Sequence, residues 1–175
     1  MAYAHSERWG TASTKIVISG GFGAGKTTFV GAVSETMPLR TEALTPVKNT
    51  TTVEMDFGRI TLDEDLVLYL FGTPGQRRLW FMWDDLARGA IGAIILADVR
   101  RLQSSFAAAD FFAARNLPFL VAVNEFDGAP GHPTHAVREA LTLPDHIPVI
   151  TVDARDRHSA KAALIAVTEY SLSTL

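Results

Sequence analysis

The sequence predicts an α/β fold of three layers, a mostly parallel six-stranded sheet between two layers of helices, with one antiparallel edge strand. Three observations predict it. Short apolar runs alternate with helical stretches along most of the 175 residues, the pattern that gives a parallel sheet covered on both faces. The first apolar run ends in a glycine-rich turn that opens a helix. Two β-rich runs, 51–62 and 66–71, stand too close together for a crossover and so pair antiparallel.

The elements follow in order. Residues 1–13 are polar and irregular and read as a flexible arm, with Trp9 able to dock on the surface. The first strand covers 15–19. The helix after the turn runs from Thr27 to 34–36 and stops before Pro38, because the residue preceding a proline avoids the helical region. Residues 39–50 have no period, contain Pro46 and read as a connecting loop. In 51–62, Val53, Met55 and Phe57 share one face. Asp63-Glu64-Asp65 is the hairpin tip; a metal site built from its carboxylates is the alternative to a solvated turn. The return strand, L-V-L-Y-L-F, is apolar enough to be buried on both faces. A helix over 77–88 places Leu79, Met82, Trp83 and Leu86 on one stripe. Then come a strand at 91–98, a helix at 104–116, a strand at 118–124, a loop at 128–133 and a short helix at 135–141. The last strand covers 147–152, and Ser159 caps a final helix reaching 172.

Composition excludes several chemistries. Without cysteine there is no disulfide framework, thiolate zinc site, catalytic thiol or S-acylation. A net charge of −3 offers no basic field for nucleic acid. No apolar run approaches the roughly 20 residues that span a bilayer, and no secretory leader or lipidation signal is visible. The expected location is the cytoplasm, with any membrane association made through a partner. His132 and His135 straddle a Pro/Gly loop with no third ligand near and read as surface residues.

The chemistry is concentrated at the carboxyl ends of the strands, where open α/β sheets bind ligands. Gly20-Gly21-Phe22-Gly23-Ala24-Gly25-Lys26-Thr27-Thr28 follows the first strand and contains the P-loop pattern. Few Cβ atoms let phosphate oxygens reach the backbone, and loop amides with the helix N-terminus face the anion. Lys26 would take the β- and γ-phosphates and the Thr27 hydroxyl a Mg²⁺ ion. About a hundred residues on, Asn124-Glu125-Phe126-Asp127 closes the strand F-L-V-A-V. A carboxylate at Asp127 can accept from the N1–H and the exocyclic amine of guanine, whereas adenine leaves it unpaired. A plain Asx turn is the alternative.

With these motifs in place, the chain resembles the small Ras-like GTPases over about residues 14–172. It is most similar to the bacterial branch that includes the gliding-motility GTPases and the conservon-encoded group beside roadblock-type proteins. T-T-T-V-E-M-D-F-G-R-I, L-F-G-T-P-G-Q and A-V-N-E-F-D-G carry that likeness. The resemblance implies a P-loop NTPase domain over 14–175 that binds GTP and GDP with Mg²⁺. It makes Thr52, with Thr51 as the fallback, the switch I threonine on the metal and γ-phosphate. Gly75 becomes the γ-phosphate glycine and Gln76 the residue that orients the attacking water. Asn124 and Asp127 become the guanine motif, and Ala154, within Asp153-Ala154-Arg155, the amide that meets the guanine carbonyl. A roadblock/LC7-type regulatory protein and an exchange or activating factor are the partners it implies.

Three positions depart from that pattern. Gly72 stands where the family has an aspartate that helps hold Mg²⁺, which predicts a weakened metal site; Asp98, at another strand end, is a candidate stand-in. Glu125 replaces a lysine whose stem packs on guanine. Phe22 replaces a small residue and would obstruct an arginine inserted from outside, while Arg59, Arg77 and Arg78 could supply one from within. The expected function is a guanine-nucleotide switch with slow hydrolysis. A nucleotide-gated interaction module that scarcely hydrolyses is the alternative, and an ATP-dependent small kinase is disfavoured by Asn124 and Asp127. The aromatics at 80–83 exceed what one buried face needs, which marks that helix as a docking surface or as core.

Overall fold

The computed structural model describes residues 11–36, 41–43, 53–127 and 131–175. A six-stranded sheet forms from β1 (Ala12–Gly20), β4 (Phe57–Asp63), β5 (Leu66–Gly72), β6 (Gly92–Ala97), β7 (Phe119–Asn124) and β8 (Val149–Val152). Its spatial order is β4-β5-β1-β6-β7-β8. Every pair is parallel except β4 with β5. The predicted sheet is therefore present, with its antiparallel strand at one edge.

The pleat of β1 divides the core. Ile16 and Ile18 point to a cluster with Phe29, Val30 and Val33 of α1 (Lys26–Val33) and with Ala163, Leu164 and Val167 of α5 (Arg157–Ser173). Val17 points the other way, to a cluster with Trp83 of α2 (Trp83–Ala87), Phe112 of α3 (Phe106–Ala114) and Val137 of α4 (Thr134–Ala140). β6 and β7 are buried along their whole length, as both-face apolar runs require.

Several local expectations are corrected. β1 begins at Ala12, so the last two residues of the expected arm already pair with β5. Residues 39–50 are not wholly loop: β2 (Thr41–Ala43) pairs antiparallel with β3 (Val53–Met55) in a separate ribbon. The single strand expected over 51–62 is thus two, broken at Asp56. The expected helix over 77–88 is a 3₁₀ turn, Arg77–Met82, followed by the five-residue α2. Trp80 and Trp83, three apart, pack with tilted rings whose centroids lie 4.9 Å from each other, an i,i+3 alignment that 3₁₀ geometry favours. A second 3₁₀ segment, Val99–Ser105, leads into α3. Asp156, not Ser159, caps α5, accepting from His158 N–H; the Ser159 hydroxyl instead accepts from Asp153 N–H. Among the described residues no helix is long and apolar enough to cross a membrane.

Candidate functional site

The parallel strands deliver the ends of β1, β5, β6, β7 and β8 to one rim of the sheet, and those predicted site residues that the structure describes gather there. After Gly20 the chain turns tightly into α1. Gly25, the residue before the helix, has φ 108°, a conformation strained for any residue with a Cβ, and a Cβ there would lie 2.5 Å from Asn124 Nδ2. Glycine is therefore required at this point by both backbone and neighbour.

Lys26 is buried, and its ammonium donates to the carbonyls of Gly20 at 2.9 Å and Gly21 at 2.7 Å. Burial pulls its pKa from 10.5 down to about 8, with the Asp56 carboxylate acting the other way. Between those two values the unfolded chain keeps a proton that the fold has released, so this group adds stability as pH rises. We predict that the ligand-free protein gains on Lys26→Met by up to ~1.4 kcal/mol per pH unit between pH 8 and 10. Thermal melts of both proteins across that window measure it, and parallel curves would refute it.

Thr27 and Gly72 give the main departure from expectation. The Thr27 hydroxyl donates to Asp56 Oδ2 at 2.9 Å. Asp56 sits in the break between β3 and β4, where its carbonyl accepts from Gly72 N–H at 2.8 Å. A Cβ on Gly72 would come within 2.8 Å of Asp56 Cβ and 3.1 Å of its Oδ2. The space of a side chain at 72 is already filled by the carboxylate of 56. Beside the Gly72 that departs from the family pattern, a carboxylate does stand next to Thr27, contributed by the residue between β3 and β4. Asp98 does not take this part. It caps the 3₁₀ segment after β6 and is paired through both oxygens with Arg100, at 2.9 and 2.8 Å, which holds its carboxyl below the usual range.

These residues open on a cavity of about 480 Å³ that also includes Phe22, Thr28, Gly75, Gln76 and Arg78. Gly75 packs against the loop so closely that a Cβ would lie 2.8 Å from Phe22 N. Phe22 itself is 70 % exposed at the mouth. The Gln76 carbonyl oxygen accepts from Arg78 Nε at 2.8 Å. The oxygens of Thr27 and Asp56 are hard donors of the kind that suit Mg²⁺, which takes few protein ligands and completes its shell with phosphate and water. Among the described residues no group of three or more acidic or histidine side chains is placed to hold a metal ion. Thr51 and Thr52 lie outside the described residues.

Asn124 joins three loops. Its Nδ2 donates to Ala24 O at 2.9 Å, and its Oδ1 accepts from Ala154 N–H at 3.0 Å. The Ala154 amide, expected to face a base carbonyl, is engaged with Asn124 here. Asp127 extends into solvent and pairs with Arg155 Nη1 at 2.6 Å, while Arg155 Nε and Nη2 each bond Asp153 at 3.0 Å. These bonds keep the Asp153 carboxyl below the usual range. Beside them is a second cavity, about 430 Å³, lined by Asn124 to Asp127 and Arg155. Phe126 borders both cavities and carries the Arg100 guanidinium 4.0 Å above its ring.

Sequence reading missed two of these residues. Phe126 was visible only as the filler of a four-residue motif. Asp56 lies within the stretch T-T-T-V-E-M-D-F-G-R-I that carries the family likeness, but no role was read for it there; its own signal was an acidic residue interrupting an alternating apolar strand.

Comparison with known proteins agrees with the fold. The family model described as conserved hypothetical ATP binding protein matches residues 41–174, a range that begins after the glycine loop. No curated protein matches. Among solved structures, the G domain of the T. maritima FeoB iron transporter is similar with TM-score 0.66 and 19 % identity, over 91 % of this chain and 99 % of that one. The cytosolic domain of the same transporter in a GDP form gives 0.67 and 19 %, over 91 % of this chain and 64 % of that one. The Arl6 BBS3 small GTPase from Trypanosoma brucei, with bound GppNp, gives 0.66 and 18 %, over 93 % and 99 %.

Proposed function

This chain belongs to the family of conserved hypothetical ATP binding proteins, and we propose that it is a guanine-nucleotide switch that binds GTP and GDP with Mg²⁺ and hydrolyses GTP slowly. The observation that carries this is Asn124, whose one amide bridges the phosphate loop, the base loop and the loop after β8, with Asp127 projecting three residues on. The similar FeoB and Arl6 structures hold GDP and GppNp. The base is where our reading departs from the family's description: Asp127 suits the donor pair of guanine and has nothing to accept from adenine.

In this reading, the loop amides and Lys26 hold the phosphates, giving up the contacts of Lys26 to Gly20 and Gly21. Thr27 and Asp56 would hold Mg²⁺ with Thr52, the ion supplying charge neutralisation on the phosphates. Gln76 orients water against the γ-phosphate, and Gly75 N–H marks its presence. Residues 73–82 then differ between the two nucleotide states, which is the output of a switch. The test is fluorescent-nucleotide titration with GTP and ATP, followed by single-turnover hydrolysis. Tighter ATP than GTP binding would overturn the guanine assignment. Tight GTP binding without phosphate release would leave the alternative, an interaction module that scarcely hydrolyses. Gly72 favours that alternative and Gln76 opposes it; the Asp56 carboxylate beside Thr27 weighs against the argument from Gly72, and the Gln76 side-chain carbonyl held by Arg78 weighs for the alternative.

We further propose the 3₁₀–α2 segment as the docking site for a roadblock/LC7-type protein of the conservon kind. Trp80 is half-buried against Trp83 and Arg77, so its ring is largely core. Phe81 is 63 % exposed and is the free anchor. Phe81→Ala is expected to weaken that partner's binding at least tenfold, about 1.4 kcal/mol, with nucleotide affinity unchanged. Unaltered partner binding by calorimetry would exclude the segment.

A further inference from the structure

The open question in a nucleotide-hydrolysing site with one lysine is where the second cation comes from. Charge in the transition state spreads over the three equatorial γ-oxygens and the leaving oxygen, and an added arginine there raises the rate by about 10³–10⁵. Three arginines of this chain were candidates, and the structure separates them. Arg59 lies on the edge strand β4 and is exposed away from the cavity. Arg77 lies over the Trp80 ring, 5.4 Å from its centroid. Arg78 alone of the three lines the cavity shared by Lys26, Thr27, Asp56 and Gln76. A fourth, Arg101, lines a separate small cavity behind Phe22 and Gly75.

Two further facts concern Arg78. It meets Gln76 through Nε, at 2.8 Å, and among the described residues no hydrogen bond or ion pair engages its two terminal nitrogens. A guanidinium held this way keeps its outward fork available, the geometry that takes two phosphate oxygens at once. The second fact is Phe22, which borders the same cavity and is largely exposed. A bulky ring at this border leaves less room for an arginine from another protein, whereas Arg78 already lines the cavity.

We infer that Arg78 is a catalytic arginine built into this chain, parked on the Gln76 side-chain carbonyl in the ligand-free state and turned onto the γ-phosphoryl group only as it is transferred. This rests on the guanine-switch reading above. The step is hydrolysis: the water oxygen bonds to the γ-phosphorus as the bond to the β–γ bridging oxygen breaks. The electron pair stays on the β-phosphate, and the water proton passes to the released phosphate. Arg78 neutralises charge on the γ-oxygens during this exchange and, by leaving Gln76, frees that carbonyl to accept from the attacking water.

Single-turnover hydrolysis and GTP titration of the full chain with Arg78→Ala, Arg78→Lys and Arg78→Gln test this. The side chain is exposed, so the variants are expected to fold, and thermal melts check it. The expected result is GTP affinity within about threefold of the parent chain, a rate lost by about 10²-fold or more in Arg78→Ala and Arg78→Gln, and partial recovery in Arg78→Lys. Loss of the complex with GDP and aluminium fluoride, a mimic of the transferring phosphoryl group, accompanies it. A parent-like rate in Arg78→Ala overturns the proposal. So does a parent-like rate in Arg78→Gln alone, since glutamine keeps a donor for Gln76 without the charge and would reduce Arg78 to a positioning residue. Failure of the parent reading is seen separately, in the unsubstituted chain: if it binds no GTP or releases no phosphate, both proposals fall together.

Discussion

Asp127→Asn is expected to exchange the preferred base. The carboxylate can accept two hydrogen bonds from guanine, and bonds to a charged group contribute about 1.5–3 kcal/mol each. Asparagine keeps an acceptor for N1–H but presents an amine to the guanine amine. At tenfold per ~1.4 kcal/mol, GTP affinity should fall about 10²-fold or more. Xanthosine triphosphate has a carbonyl where guanine has the amine, so it should bind the variant at least tenfold better than GTP does. The phosphate side is untouched, so tight binding of one nucleotide by the variant is the internal control. Competition titration of both nucleotides against wild type and variant measures the exchange. If Asp127→Asn binds GTP as the wild type does, the guanine assignment is wrong, and the adenine of the family's description becomes the better reading.

The second large effect concerns the carboxylate beside Thr27. Asp56→Ala should lower the Mg²⁺-dependent part of GTP affinity by about 10–100-fold, the usual loss when a group that orders a metal site is removed. Gly72→Asp alone should do similar damage, because its Cβ would stand 2.8 Å from that of Asp56. The combination Asp56→Gly with Gly72→Asp returns a carboxylate to the same space from the other strand and should recover most of the affinity. That non-additivity is the signature of one shared position. GTP titrations with Mg²⁺ and with chelator would give the four values. An Asp56→Ala protein with unaltered Mg²⁺ dependence would show that the Thr27–Asp56 bond belongs only to the empty site.

The layered sheet was legible because its signals are local. A run such as F-L-V-A-V-N announces a strand buried on both faces, and Gly25-Lys26-Thr27 announces the loop and helix that follow. Asp56 was not legible because its place depends on a register. Counting back from a tight turn at Glu64-Asp65 would set Asp56 opposite Thr73. In the structure Asp63 pairs with Leu66 but Thr61 pairs with Val67, so Leu62 is an extra residue, and beyond this bulge Phe57 meets Phe71. Only that one-residue shift brings Asp56 to Gly72, and bulges leave little trace in sequence. The 3₁₀ turn at 77–82 was misread as α-helix for a related reason: Leu79, Trp83 and Leu86 are buried in both geometries, so the apolar spacing does not separate them. The Asp127–Arg155 pair was hidden because the two residues are 28 positions apart and meet only through the adjacency of β7 and β8.

That pair has a consequence for how the chain would choose among nucleotides. Arg155 acts as an internal competitor for Asp127, so a base does not enter an open seat but must displace an occupant. Both side chains are well exposed, so the contact is weak, and displacement is easy for a base that offers donors of its own. Arg155 would not be stranded, since Asp153 keeps it by two bonds. Adenine has no donor pair to offer the released carboxylate, and the original contact would simply re-form. Discrimination would then arise from rivalry inside the protein as well as from fit to the ligand, and raising the salt concentration would weaken the rival more than the fit.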